Sequence, residues 1–155
     1  MAMNIHFREA TNEDIPLLTT LMQSFYQQVH YPFNAQSIRD NLEEFFDNHE
    51  MGKIWLILLE NETIGYATLT YGFSFEYNGL NGTLDEMYID DPYRGKGIGS
   101  ETIDFIVEES KQLSLKALHL EVEKHNEPAI NLYNKSGFVK RKRVMMTKLL
   151  KKNNG

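Results

Sequence analysis

Along the chain the spacing of apolar positions alternates between strand and helix periods, and each change marks an element. Residues 3–9 (MNIHFRE) place Ile5 and Phe7 on one face and predict a short strand. Ile15, Leu18, Leu21, Met22 and Phe25 then recur at helical spacing. Thr11 with Asp14 forms a cap pattern, but Pro16 falls late for a first turn and leaves the helix start open by a residue or two. HYPFN breaks that helix, and a second, over 35–48, carries Ile38, Leu42, Phe45 and Phe46 along one side. Strand-like runs at 53–60 and 63–73 flank Asn61-Glu62, a pair suited to a tight hairpin. Turn residues fill 76–82, and TLDEMYID (83–90) predicts the next strand.

The period returns to helical over 98–113, where Ile98, Phe105, Ile106 and Leu113 share a face. Over 115–123 it alternates again, with Leu118, Leu120 and Val122 opposite His119 and Glu121. Residues 126–136 predict a short helix capped by Asn126, with Pro128 in its first turn and Gly137 as its stop. Phe138–Leu149 reads as a last strand region before a lysine-rich end. The order β-α-α-β-β-β-α-β-α-β predicts an α/β fold, a mixed sheet with helices on its faces. The expected organisation is one domain over 1–155 with its core at about 3–149.

Composition narrows the function. The 155 residues are 41% hydrophobic and 12% aromatic, enough for a core, and the formal charge is −6. That balance argues against nucleic acid or an anionic membrane as a partner and leans towards a cationic one. Without cysteine there is no disulfide, thiolate metal site or cysteine nucleophile. The five histidines show no ligand spacing, so no metal is expected. Residues 1–8 lack the apolar stretch of a signal peptide and no run suits a bilayer, so a cytoplasmic protein is expected. KRKR (140–143) reads as a solvated strand edge, and Trp55 as core.

The densest local signal is RGKGIG, residues 94–99. A P-loop needs a glycine five residues before Gly-Lys and Ser or Thr after it; Asp90 and Gly97 stand there instead. A dinucleotide-binding βαβ unit would match the strand before and the helix after, with Glu121 near a strand end. Too little chain follows to complete a doubly wound sheet. The remaining readings are an R-x-x-G-x-G nest, whose amides and helix N-terminus hold a diphosphate beside Arg94 and Lys96, and a plain turn that binds nothing.

The run LDEMYIDDPYRGKGIGSETI, with NEPAINLYNKSGF beginning 27 residues after Gly99, resembles the GNAT family of acetyl-CoA-dependent N-acetyltransferases. Within that family, GIGSE and NEPAINLY are most similar to the diamine (spermidine/spermine) acetyltransferases. The resemblance implies a GNAT fold, with a mostly antiparallel sheet whose central strands splay apart. It implies acetyl-CoA bound by Arg94, Gly95, Lys96, Gly97, Ile98, Gly99 and Ser100, and along the main chain of Met87, Tyr88 and Ile89. An N–H near Met87 would stabilise the oxyanion, Asn126 would steady the cofactor, and Tyr133 would protonate the departing thiolate.

Asp85 and Glu86, being adjacent on a strand, are expected on opposite faces. By the resemblance, Asp85 matches a base working through water and Glu86 a substrate-binding carboxylate, with Glu76 in reserve. By the same resemblance, Tyr26, Tyr31 and Phe33 fall in the segment that walls the acceptor pocket in this family. The implied reaction is acetyl transfer by direct attack of a primary amine of a small cationic acceptor, such as a polyamine or diamine. An amino acid, an aminoglycoside or a protein amine are alternative acceptors, and a non-catalytic acyl-CoA-binding module is the rival. A homodimer is expected from the resemblance alone.

Overall fold

The computed structural model describes residues 3–151. Its strands are β1 (Ile5–Glu9), β2 (Gly52–Leu59), β3 (Glu62–Ser74), β4 (Gly79–Ile89) and β5 (Leu118–Leu120). Its α-helices are α1 (Ile15–Val29), α2 (Ala35–Asp47), α3 (Ile98–Gln112) and α4 (Glu127–Lys135). The strands form one sheet in the order β1-β2-β3-β4-β5, antiparallel through β4, with β5 parallel to β4. The mixed sheet predicted from the changes of period is present.

Alternation along the strands divides the core in two. On one face Ile54, Leu56, Tyr66 and Tyr88 pack against Leu18, Leu21 and Met22 of α1 and Leu42 of α2. On the other, Trp55, Ala67, Leu69 and Leu84 pack against Ile103 and Ile106 of α3, with Tyr133 and Phe138 at the margin. Burying one such aliphatic side chain is worth about 1.5–3 kcal/mol, so both layers of helix are firmly held to the sheet.

Several boundaries differ from the sequence pattern for local reasons. A 3₁₀ turn, Asn12–Asp14, precedes α1, so Pro16 lies in the first turn after all, where its missing N–H costs nothing. Asp14 closes that turn, accepting the Thr11 N–H at 2.8 Å and the Arg8 guanidinium at 2.8 Å. The first hairpin turns at Glu60-Asn61, one residue earlier than expected, because Glu62 already pairs with Leu59. β4 begins at Gly79 rather than residue 83, since Gly79 to Gly82 pair with Ser74 to Tyr71 and shrink the turn to 75–78.

Two expected strands are corrected. The strand expected over 115–123 is β5 alone, whose pairing with β4 runs from Gly82–Leu118 to Leu84–Leu120 and stops. The cause lies in β4: Leu69 faces Leu84 and Thr68 faces Glu86, so Asp85 is an unopposed bulge residue. A bulge bends its strand, and here the bend carries the rest of β4 away from β5. The strand expected over 138–149 is absent; this segment has no ladder partners, leaving Val144, Met145 and Met146 exposed.

Candidate active site

Past the bulge, β4 has one free edge. The Glu86 N–H donates to Thr68 Oγ1 at 2.9 Å and the Asp90 N–H to the Ile64 carbonyl at 2.8 Å, both towards β3. Amides alternate along a strand, so the N–H groups of Met87 and Ile89 point the other way, into the gap left by β5. Arg94 Nε donates to the Ile89 carbonyl at 2.7 Å, leaving the Met87 groups and the Ile89 N–H as the open main-chain positions there.

The glycine turn lies at the end of this edge. Gly95 (φ +75°) and Gly97 (φ +84°) adopt left-handed conformations that other residues rarely take, and a Cβ on either would meet no atom within 4 Å. The conformation, not crowding, requires glycine. It turns successive amides outward just before α3. The Arg94 N–H bonds to Asp91 and the Glu101 N–H to Gly97, but the amides from Gly95 to Ser100 donate to no carbonyl among the described residues. Such a set, backed by the positive end of a helix dipole, suits a diphosphate. Buried Ile98 anchors the turn, Ser100 is half-buried on the first helical turn, and Lys96 is exposed beside the amides.

Gly99 has no positive φ; a Cβ there would touch Leu132, Ile89 and Met87 at 3.6–3.9 Å, which is ordinary packing. It marks where α3, α4 and β4 come close. Arg94 is not aimed at the nest. Its guanidinium bonds Asp91 and Gln28 and stacks over Tyr88, 5.4 Å from the ring centroid, tying the turn to β4 and α1.

On the α1–α2 face lies a cavity of about 180 Å³. Met22, Ile38, Leu42, Phe45 and Ile54 give it apolar walls, and Asp85 and Glu86 both line it. The two carboxylates were expected on opposite faces; the bulge interrupts the alternation and brings them together. Glu86 accepts the Tyr26 hydroxyl at 2.7 Å and the Tyr66 hydroxyl at 2.8 Å. Burial pushes the Glu86 carboxyl above its ordinary range, while the two phenol bonds and the neighbouring Asp85 modulate it in opposite senses. Both phenols are held up in turn, first by burial.

Tyr26 lines the cavity; Tyr31 and Phe33 instead stack edge-on against it, at 5.9 and 6.0 Å between centroids, and fix its ring. Glu76 is elsewhere, at the β3–β4 turn, where Arg143 and Arg141 hold it at 2.8 and 3.1 Å and keep its carboxyl below the usual range.

Tyr133 lies across the sheet, half-buried on the α3 side with Met87 in the same apolar cluster. Burial raises its hydroxyl, so it stays protonated. Asn126 caps α4, accepting the Ala129 N–H at 3.3 Å, and its exposed side chain stands at the start of that helix. The β4 edge thus runs between the carboxylate cavity on one face and Tyr133 on the other. Sequence reasoning missed Tyr66 and Thr68, which orient Glu86, because on an alternating strand they read as plain core. Gln28, which holds Arg94, carried no signal at all.

The sequence pattern of the acetyltransferase (GNAT) family matches residues 16–138. A spermine/spermidine N(1)-acetyltransferase of Bacillus subtilis is 28% identical over 141 residues, 88% of this chain and 88% of that protein. Among solved structures, an integron cassette protein from the mobile metagenome of Cole Harbour Salt Marsh superposes with a TM-score of 0.84 at 29% identity. It covers 94% of this chain and 91% of that one. A predicted acetyltransferase of Clostridium acetobutylicum, solved with acetyl-CoA, shares the fold at 21% identity and a TM-score of 0.77, over 97% of this chain and 100% of that one.

Proposed function

The chain belongs to the acetyltransferase (GNAT) family, and on that premise we propose that it moves the acetyl group of acetyl-CoA to a small, protonated primary amine by direct attack. One observation carries this reading: the unpaired edge of β4 joins an amide nest, a carboxylate cavity and a protonated tyrosine. The free amides of Gly95 to Ser100 fit a diphosphate, and the open main chain of Met87 and Ile89 fits a pantetheine arm added like a strand. Acetyl-CoA when bound supplies an activated thioester.

The chain's own groups divide the remaining work. Glu86, oriented by Tyr26 and Tyr66, receives the acceptor ammonium. Asp85, at the bulge and more open to solvent, takes its proton through water. The Met87 N–H polarises the carbonyl and holds the negative charge that develops on its oxygen. Tyr133 gives its proton to the departing sulfur, a role suited to a hydroxyl kept neutral by burial. Asn126 steadies the cofactor at the mouth of the gap.

One acidic pair above apolar walls fits an ammonium carried on a short carbon chain, as in a diamine or a lysine-like amine. Thiol release from acetyl-CoA over polyamines, diamines, amino acids, aminoglycosides and peptides tests this. The expected result is turnover with a diamine or polyamine exceeding that with neutral amines. Coenzyme A binding without turnover on any amine would replace the enzyme by a non-catalytic acyl-CoA-binding module.

A further inference from the structure

The glycine turn is held at its two ends and free between them. A Cβ built on Gly95 or Gly97 would meet no other part of the chain within 4 Å, so the middle of the turn packs against nothing. Ile98, 1% exposed, fixes the far end in the core. The near end is Arg94, the last residue before the left-handed glycines, whose own N–H donates back to the Asp91 carbonyl.

The Arg94 side chain is fully engaged. A guanidinium is a planar fork of N–H donors, and here each of its nitrogens has a partner. Nε donates to the Ile89 carbonyl at 2.7 Å, one terminal nitrogen to Asp91 and the other to the Gln28 side-chain oxygen. The same group lies over the Tyr88 ring, 5.4 Å from its centroid, within reach of a cation–π contact. Tyr88 is itself 7% exposed, and Gln28 sits in the last turn of α1, a helix that buries Leu18, Leu21 and Met22 against the sheet. The turn is thus fastened to β4 twice and to α1 once. To reach a diphosphate the guanidinium would have to give these contacts up, whereas Lys96, exposed on the turn itself, stands beside the amides already.

We propose that Arg94 is a brace and not a phosphate ligand, and that Gln28 is the positioning residue on α1 that holds it in place. This rests on the reading of the turn and the β4 edge as a coenzyme A site. The brace fixes the distance from the amides that take the diphosphate to the open main chain of Met87 and Ile89 that takes the pantetheine arm. Two subsites at a fixed spacing bind a linked ligand far more tightly than either half, because engaging one half holds the other at a high effective concentration. Where the spacing fluctuates, each half still binds, but the advantage of linking them shrinks. Gln28 therefore serves the cofactor site from α1, through Arg94.

Calorimetric titration of the full chain with coenzyme A and with 3′-phospho-ADP, its nucleotide half, tests this. The quantity read is the dissociation constant of the nucleotide divided by that of coenzyme A. Both ligands carry the same phosphates, so a change of charge near them cancels in this ratio. In Gln28→Ala and in Arg94→Ala the ratio is expected to fall about tenfold, while the nucleotide binds Gln28→Ala within about twofold of wild type. Gln28→Glu, which returns an acceptor to the guanidinium, is expected to restore it. These variants replace exposed side chains and retain the helix and sheet signals in circular dichroism. A ratio unchanged in either alanine variant, whether both ligands weaken alike or neither does, would overturn the brace and leave the coenzyme A site standing. A wild-type chain that binds neither ligand, or both equally, would overturn the site and the brace with it.

Discussion

Glu86 is half-buried against two phenols, and its behaviour follows from competition between desolvation and two hydrogen bonds. Burial raises its pKa; the Tyr26 and Tyr66 bonds favour the ionised form and oppose that rise. Removing one bond in Tyr26→Phe lets the rise win further. The acid limb of kcat/KM is therefore expected to move to higher pH in that variant, and an unmoved limb would detach Glu86 from the acceptor. Tyr133→Phe keeps the packing but loses the transferable proton. A fall in kcat of about 100-fold or more is expected, with unfolding free energy within about 0.5 kcal/mol of wild type. At this scale the sequence singled out Tyr133, Asp85 and Glu86 but set the two carboxylates on opposite faces, whereas both line one cavity. A strand read in isolation alternates strictly, and only the register with β3 reveals the bulge at Asp85.

Elements carry the next set of consequences. The nest depends on the left-handed turn at Gly97, a conformation that Asn and Asp tolerate better than other residues. Gly97→Asn is expected to weaken coenzyme A binding modestly, and Gly97→Asp, which sets a negative charge where the diphosphate belongs, at least tenfold more; calorimetric titration measures both. The start of α1 depends on Asp14, whose carboxyl the Arg8 hydrogen bonds hold below the usual range. Because the folded value is depressed, its stabilisation is present above the unfolded carboxylate range near pH 4 and is lost as pH falls through the folded value. Asp14→Asn should cost about 1 kcal/mol at pH 7 in urea unfolding, and less as the pH approaches 3. Helix periods and caps were legible here, down to Asn126 and Gly137. The length of β5 was not, because an alternating run shows that a strand is possible without showing how much partner it has.

Across the whole molecule, the bend in β4 is the feature on which the proposed function rests. It opens a slot between two faces that the core otherwise keeps apart, so groups distant in sequence, from Tyr26 to Tyr133, converge on one strand edge. Fold class emerged from periodicity because each layer needs its own apolar stripe. The lack of a strand over 138–149 did not, because an apolar run shows that a strand is possible without showing whether it finds a ladder partner. The central claim, that the turn from Arg94 to Gly99 and the free edge of β4 form one cofactor track, is tested most directly by NMR. Coenzyme A titrated into the ¹⁵N-labelled protein should shift the amides of Gly95 to Ser100 together with Met87 and Ile89 most strongly. Saturable binding that leaves those amides unmoved, or no binding at millimolar ligand, would contradict it.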